Sequence, residues 1–360
     1  MNSVTENLNT LWASLLIEEL VRNGVDYFCL APGSRCSPLT VAVAAHTRVR
    51  ESIHHDERAV AFHALGYGRA TGRPAVIITT SGTAVANLMP AVVEASSEQI
   101  PLLVLTGDRP PELRDTCANQ TIDQIGIFGN YVRWFVDLPC PTRSVSAAFL
   151  LTTADHAVHR CRQGVPGPVH INCMFREPLA PERDQTDASG YLASLAGWME
   201  NSFPYTSYGS ATTVADTGTV DKIADILMQG ERGVLVIGKL NRWTSDRGVR
   251  RLAEKLQWPI CADITSGFRT GDPPGLVMAT ADLLTMHPGF STSHAPQVVL
   301  HLGGRMVSKQ TERFLHHDGL THYVLVSDYI GRQDPWHDVT MRMEGDVDEV
   351  SSALADKIPF

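Results

Sequence analysis

Four apolar runs, each meeting a turn, constrain what this chain can become. VDYFCLA (25–31) leads into PGSRCSP, PAVIITT (74–80) into SGTAVAN, LLVLTGD (102–108) into RPPEL, and GPVHINC (167–173) ends the series. Helical periodicity fills the gaps. Leu8, Leu11, Trp12, Leu15, Leu16 and Leu20 form one stripe within 7–23, stopped by Asn23 and Gly24. Further helices are predicted from about Leu39 to Thr47, after SGTAVAN, and from about Ser146 to Cys161. Apolar runs alternating with helices specify parallel strands covered on both faces, so the expected fold class is α/β.

A second series follows. Val220, Ile223, Ala224, Ile226 and Leu227 mark a helix, and GVLVIGKL (233–240), WPICADI (258–264), QVVLHLGG (297–304) and HYVLVSD (322–328) read as strands. Between the series, residues 178–218 are rich in Pro, Ser, Thr, Asp and Gly and lose periodicity. The expected organisation is a domain over 1–177, a surface linker over 178–218 and a second parallel-sheet domain over 219–360. Trp198, Phe203, Tyr205 and Tyr208 imply that the linker packs against something.

Several functional classes are excluded. The net charge of -9 comes with no basic run, so no nucleic-acid partner is expected. Glu6, Glu18 and Glu19 interrupt the first apolar positions and no run reaches membrane-spanning length, so neither a secretory leader nor a membrane segment is expected. The seven cysteines (Cys29, Cys36, Cys117, Cys140, Cys161, Cys173 and Cys261) contain no C-x-x-C pair, which fits a reducing cytoplasm. His54, His55, Asp56 and Glu57 are consecutive and have no second cluster to complete a ligand set, so no metal site is expected. Gly238, Gly303 and Gly304 follow apolar strands without a G-x-G-x-x-G pattern and read as tight turns.

Ligands of open α/β sheets gather at the carboxyl ends of strands, which draws attention to Ser34 and Arg35. Arg35, Arg109 and Lys309 each follow a strand-to-loop transition. Together such cations could hold a substrate with several carboxylates, and Arg offers a bidentate fork. In HHDERAVAFHALGYGRATG (54–72), Glu57 opens an amphipathic helix whose Ala59, Ala61, Ala64, Leu65 and Gly68 are small enough for another backbone to approach. From the helix alone, Glu57 is either a dipole-favoured first-turn acid or a functional carboxylate.

Five blocks together resemble the thiamine-diphosphate enzymes. Among these they resemble the 2-succinyl-5-enolpyruvyl-6-hydroxy-3-cyclohexene-1-carboxylate synthases of menaquinone and phylloquinone biosynthesis. The blocks are APGSRCSPLT (31–40), HHDERAVAFHALGYGRATG (54–72), TTSGTAVANLMPAVVEA (79–95), TGDRPPELRDTCANQ (106–120) and VHINCMFREPL (169–179). Weaker echoes follow at LGGRMVSK (302–309) and DYIGRQDPWHD (328–338). The resemblance implies a pyrimidine-binding type domain followed by a Rossmann-like central domain. It implies a transferase that decarboxylates 2-oxoglutarate and adds the succinyl carbanion to isochorismate by 1,4-addition. The cofactors implied are thiamine diphosphate and Mg2+, and the chain would be a homodimer or homotetramer. Glu57 matches the acid that hydrogen-bonds the pyrimidine N1′, with Ser81, Gly82, Thr83 and Asn87 as further cofactor contacts. Ser34, Arg35, Arg109, Gln120 and Lys309 match substrate-binding positions, whereas Gln310 departs from relatives that carry a second cation there.

The family pattern also includes a third domain that anchors the diphosphate through Mg2+, with a Gly-Asp signature followed by Asn-Asn. Gly107-Asp108, Gly271-Asp272 and Gly345-Asp346 lack that partner. The expectation is therefore a truncated chain, a broken gene product or one half of a split enzyme whose Mg2+ ligands lie on a separate diphosphate-domain chain. Two rivals stand beside it. One is a non-catalytic dimerisation or regulatory module that keeps the fold. The other is a 2-oxoacid decarboxylase, which the RPPEL…ANQ block disfavours.

Overall fold

Two six-stranded sheets carry the chain, and every strand pairing in them is parallel. The computed structural model describes residues 7–182, 187–209, 216–240 and 245–359. It divides into two units, Met1–Ser210 and Ala211–Phe360.

The first sheet contains β1 (Tyr27–Ala31), β2 (Arg50–Ile53), β3 (Ala75–Thr79), β4 (Leu102–Asp108), β5 (Trp134–Leu138) and β6 (Pro168–Met174) in the order β2-β1-β3-β4-β6-β5. All residues of β3, β4 and β6 are buried, as uninterrupted apolar runs require. The helices of this unit are α1 (Leu8–Arg22), α2 (Ser37–Ala45), α3 (Glu57–Thr71), α4 (Thr83–Ala86), α5 (Met89–Ser97) and α6 (Ala147–Arg162). One core gathers Leu16 of α1, Leu39 of α2 and Leu151 of α6 on the sheet; the other gathers Val60 of α3 and Val92 of α5.

Caps set where the helices begin. Asn7 Oδ1 accepts the Thr10 amide at 3.0 Å to start α1. Asp56 Oδ1 accepts the amides of Arg58 at 2.9 Å and Ala59 at 3.0 Å, which makes Glu57 the first residue of α3. The small residues of α3 do not form one free face. Ala61, Ala64, Leu65 and Gly68 are buried within this unit, whereas Ala59 is exposed and shares the outer side with Phe62 and Gly66. The helical period explains the split, since Ala59, Phe62 and Gly66 lie three and four residues apart.

The stretch that reads as an irregular linker contains two short helices, α7 (Ser189–Leu192) and α8 (Ala196–Met199). Leu195 and Trp198 are buried in the α1–α6 core, while Phe203 is 70% exposed. Residues 183–186 and 210–215 of that stretch, and the first six residues of the N-terminal one, lie outside the described residues.

The second sheet contains β7 (Gly233–Ile237), β8 (Pro259–Ala262), β9 (Leu276–Val277), β10 (Val298–Leu302), β11 (His322–Ser327) and β12 (Met341–Glu344) in the order β12-β11-β10-β7-β8-β9. Its helices are α9 (Thr217–Gln229), α10 (Arg247–Leu256), α11 (Ala281–Met286), α12 (Pro288–Ser293), α13 (Lys309–Leu315) and α14 (Val347–Lys357). The chain reverses direction across the sheet between β7 and β10, where such folds commonly open a nucleotide crevice. Here the two turns meet: a methyl group on Gly238 would lie 1.8 Å from the Gly304 carbonyl oxygen, and the Gly304 amide donates to Lys239 O at 2.7 Å. These glycines serve a close main-chain contact. No helix among the described residues is long and apolar enough to cross a membrane.

Candidate functional site at the strand ends of the first unit

The carboxyl ends of β1, β3 and β4 are drawn together by close contacts at two glycines. A methyl on Gly33, after β1, would lie 2.6 Å from Cβ of Thr80, after β3. A methyl on Gly107, in β4, would lie 2.8 Å from the carbonyl of Arg35. Only glycine at both places lets the three loops close on one another. Ser34 and Arg35 occupy the 3₁₀ turn between β1 and α2, and Arg109 directly follows β4.

Side chains continue the convergence. Arg109 donates from Nη1 to Ser81 Oγ at 2.8 Å and from Nη2 to Asn119 O at 2.8 Å. Ser81 Oγ donates to Gln120 O at 3.0 Å, and Gln120 Nε2 donates back to Ser81 O at 3.2 Å. Gln120 has φ 57, a conformation few non-glycine residues adopt, and the two-way contact with Ser81 holds it there. Ser81, Arg109 and Gln120 thus form one cluster, with Ser34 and Arg35 adjoining it.

Arg35 is 6% exposed, yet its donors are under-used. Nη1 donates to Phe175 O at 2.8 Å, and Nη2 stands 3.7 Å from the largely exposed Glu177 carboxylate. Nε has no partner among the described residues. Burial first, and then the Arg109 charge, pull Arg35 below the ordinary arginine range. A buried cation with spare donors suits an anionic ligand.

Glu57 is half-buried and makes no hydrogen bond or ion pair to any described residue. Its helix follows β2, and parallel pairing puts the carboxyl end of β2 on the same edge as those of β1 and β3. Thr83 and Asn87 are exposed, and Asn87 Nδ2 donates to Thr83 O at 3.1 Å. Lys309 belongs to the second unit, where it is exposed as the first residue of α13, with Gln310 half-buried behind it.

Beneath the cluster lies a buried polar network that the motif reading missed. Gln124, 1% exposed, accepts the Gly82 amide at 2.9 Å and donates to Gly107 O at 3.3 Å and Asn172 Oδ1 at 2.9 Å. Asn172 Nδ2 donates to Asp108 and to Asp137, each at 2.8 Å, and Arg114 bridges the same two carboxylates. Asp108 Oδ1 in turn accepts the Arg109 amide at 2.7 Å. The available signal was His170 and Asn172 inside a strand otherwise made of buried apolar residues. Among the described residues, no three His, Cys, Asp or Glu side chains converge as metal ligands.

Comparison with known proteins agrees with this architecture. Residues 12–127 match the thiamine pyrophosphate enzyme N-terminal TPP binding domain, and residues 189–357 match the middle domain of thiamine pyrophosphate enzymes. The chain belongs to the thiamine pyrophosphate enzyme family. Within that family it is similar to the 2-succinyl-5-enolpyruvyl-6-hydroxy-3-cyclohexene-1-carboxylate synthase of Rubrobacter xylanophilus, at 46% identity over 99% of this chain and 61% of that protein. The synthase of the same name from Salinibacter ruber is 45% identical over 98% of this chain and 60% of its own length. Protein PHYLLO of Arabidopsis thaliana, a chloroplastic protein, is 40% identical over 97% of this chain and 21% of its length. The chain thus spans about three fifths of the bacterial thiamine enzymes it matches.

Proposed function

We propose that this chain supplies the pyrimidine-binding part (1–177) and central part (219–360) of a thiamine-diphosphate-dependent synthase of menaquinone biosynthesis. The reaction is decarboxylation of 2-oxoglutarate and 1,4-addition of the resulting succinyl fragment to isochorismate, in the cytoplasm. The observation that carries this reading is Arg35, a buried cation with unused donors beside Arg109 at the carboxyl ends of β1 and β4.

Bound thiamine diphosphate supplies the electron sink that decarboxylation of a 2-oxoacid requires. A half-buried carboxylate without a partner among the described residues fits that group, because Glu57 can accept a hydrogen bond from a protonated pyrimidine nitrogen. Ser81, Gly82, Thr83 and Asn87 line the turn after β3 as further cofactor contacts. Arg35 and Arg109 orient substrate carboxylates by charge-assisted hydrogen bonds and Ser34 and Gln120 add neutral ones; the substrate role of Lys309, on the second unit, rests on the family resemblance alone. The Mg2+ ligands are assigned, as the family resemblance implies, to a diphosphate-binding domain.

The test is to complete this chain with the C-terminal part of a full-length relative and measure CO2 release from 2-oxoglutarate together with isochorismate consumption. Turnover that needs both substrates supports the proposal. Decarboxylation that ignores isochorismate, or no turnover above that of the supplied part alone, contradicts it.

A further inference from the structure

Glu19 of α1 and Asp155 of α6 are fully buried and close enough for each to feel the other's charge, and they accept the amides of the consecutive residues Tyr205 and Thr206. The donors they receive are neutral. Glu19 accepts Trp198 Nε1 at 2.6 Å and the Tyr205 amide at 2.5 Å. Asp155 accepts Asn23 Nδ2 at 2.7 Å and the Thr206 amide at 2.8 Å. Three of these four donors come from one segment, 198–206, which precedes the second unit. The charged groups around the pair are turned elsewhere. On α1, Glu18 and Arg22 pair at 2.7 Å, with His46 and Arg48 also on Glu18. Arg22 lies over the Trp198 ring at 3.8 Å and donates to Trp198 O and Phe203 O. On α6, His156 and His159 face Tyr208, and Arg162 reaches Asn23 O. On the segment itself, Glu200 is exposed.

We propose that Glu19 and Asp155 form a proton-dependent latch that clips residues 198–206 onto the helical face of the first unit. Buried beside a second carboxyl group and given only neutral donors by the described residues, Glu19 keeps its proton in the closed latch. Burial, and then Asp155, push the Glu19 carboxyl up to about 8. In the open latch, solvated Glu19 returns to the ordinary carboxylate range. The closed state therefore binds a proton that the open state has lost, and closure weakens as pH rises towards about 8.

The experiment is hydrogen-exchange mass spectrometry of the peptide containing Tyr205 and Thr206, at pH 6, 7 and 8, with rates divided by the intrinsic exchange rate. Wild-type protection should fall by at least about tenfold from pH 6 to 8. Asp155→Asn leaves one charge, so Glu19 can ionise in place and protection should stay level across that range. Glu19→Gln, which fixes the singly charged form, should also be level and decides the matter if Asp155→Asn fails to fold by circular dichroism. Level wild-type protection, or the wild-type fall persisting in a folded variant, overturns the latch.

Discussion

Arg35 and Arg109 repel one another at the carboxyl ends of β1 and β4, and after burial this repulsion is the largest influence lowering the proton affinity of Arg35. The main-chain contact between Gly107 and Arg35 keeps the cations in place. The buried Asp108 and the exposed Glu177 oppose this lowering without outweighing it, so an anionic ligand between the two cations would be favoured.

The two arginines should therefore act on substrate affinity. In the completed enzyme, Arg35→Ala and Arg109→Ala should each raise the KM for at least one substrate by roughly ten- to a hundredfold, as loss of a charge-assisted contact implies. Steady-state kinetics with each substrate varied in turn checks this. Unchanged KM values for both variants would remove the arginines from the site.

Gln124 should matter through structure. Gln124→Ala leaves the Gly82 amide, Gly107 O and Asn172 Oδ1 each short of a partner. The expected loss of stability is about 1–3 kcal/mol, read from urea unfolding of this chain. A loss below about 0.5 kcal/mol, the scale of ordinary surface substitutions, would mean that the network does not hold the strand ends together.

Legibility in the sequence followed burial. The eight interior strands read correctly because each is an apolar run. The four missed strands, β2, β5, β9 and β12, are the four sheet edges. RESI and MRME carry charge because an edge faces solvent on one side, so periodicity gives no signal there. The helix α10 (RGVRRLAEKL) was also missed, its few apolar residues lying among five charged ones. The turns after apolar strands on which Ser34, Arg35 and Arg109 stand were readable as turns. Gln124 was not readable, because it lies in an irregular loop and its three partners are main chain or distant in sequence.

His170 gives a pH signature. It is fully buried, its Nε2 pairs with Thr106 Oγ1 at 2.8 Å, and burial holds it down to about 3. A base depressed in the folded state contributes stability that is present above its unfolded value near 6.5 and is lost as pH falls towards 3. Glu19 acts with the opposite sign, so the comparison must be between wild type and His170→Phe. Wild type should lose stability relative to the variant by on the order of 1 kcal/mol per pH unit between pH 6.5 and 4.5. Urea unfolding at three pH values measures it, and a constant difference would show that His170 is not neutral in the fold.

The outer side of α3 should mediate self-association. Phe62 is 48% exposed between Ala59 and Gly66, and Ile53 is 61% exposed just before the helix. Phe62→Arg should shift sedimentation towards monomer by at least about tenfold in dissociation constant, since one interface anchor is worth more than about 1 kcal/mol. A wild-type chain that stays monomeric at high concentration would count against this surface.

The central claim is that Glu57 serves the cofactor while Arg35 and Arg109 serve the substrates. It is tested most directly by deuterium exchange at C2 of thiamine diphosphate bound to the completed enzyme, measured without substrate. Glu57→Gln nearly preserves size and removes the charge, so exchange should slow by at least about a hundredfold. Arg35→Ala and Arg109→Ala should leave exchange near the wild-type rate. Equal slowing in the arginine variants would contradict the division of roles. Unchanged exchange in Glu57→Gln would reduce that acid to a first-turn residue of α3.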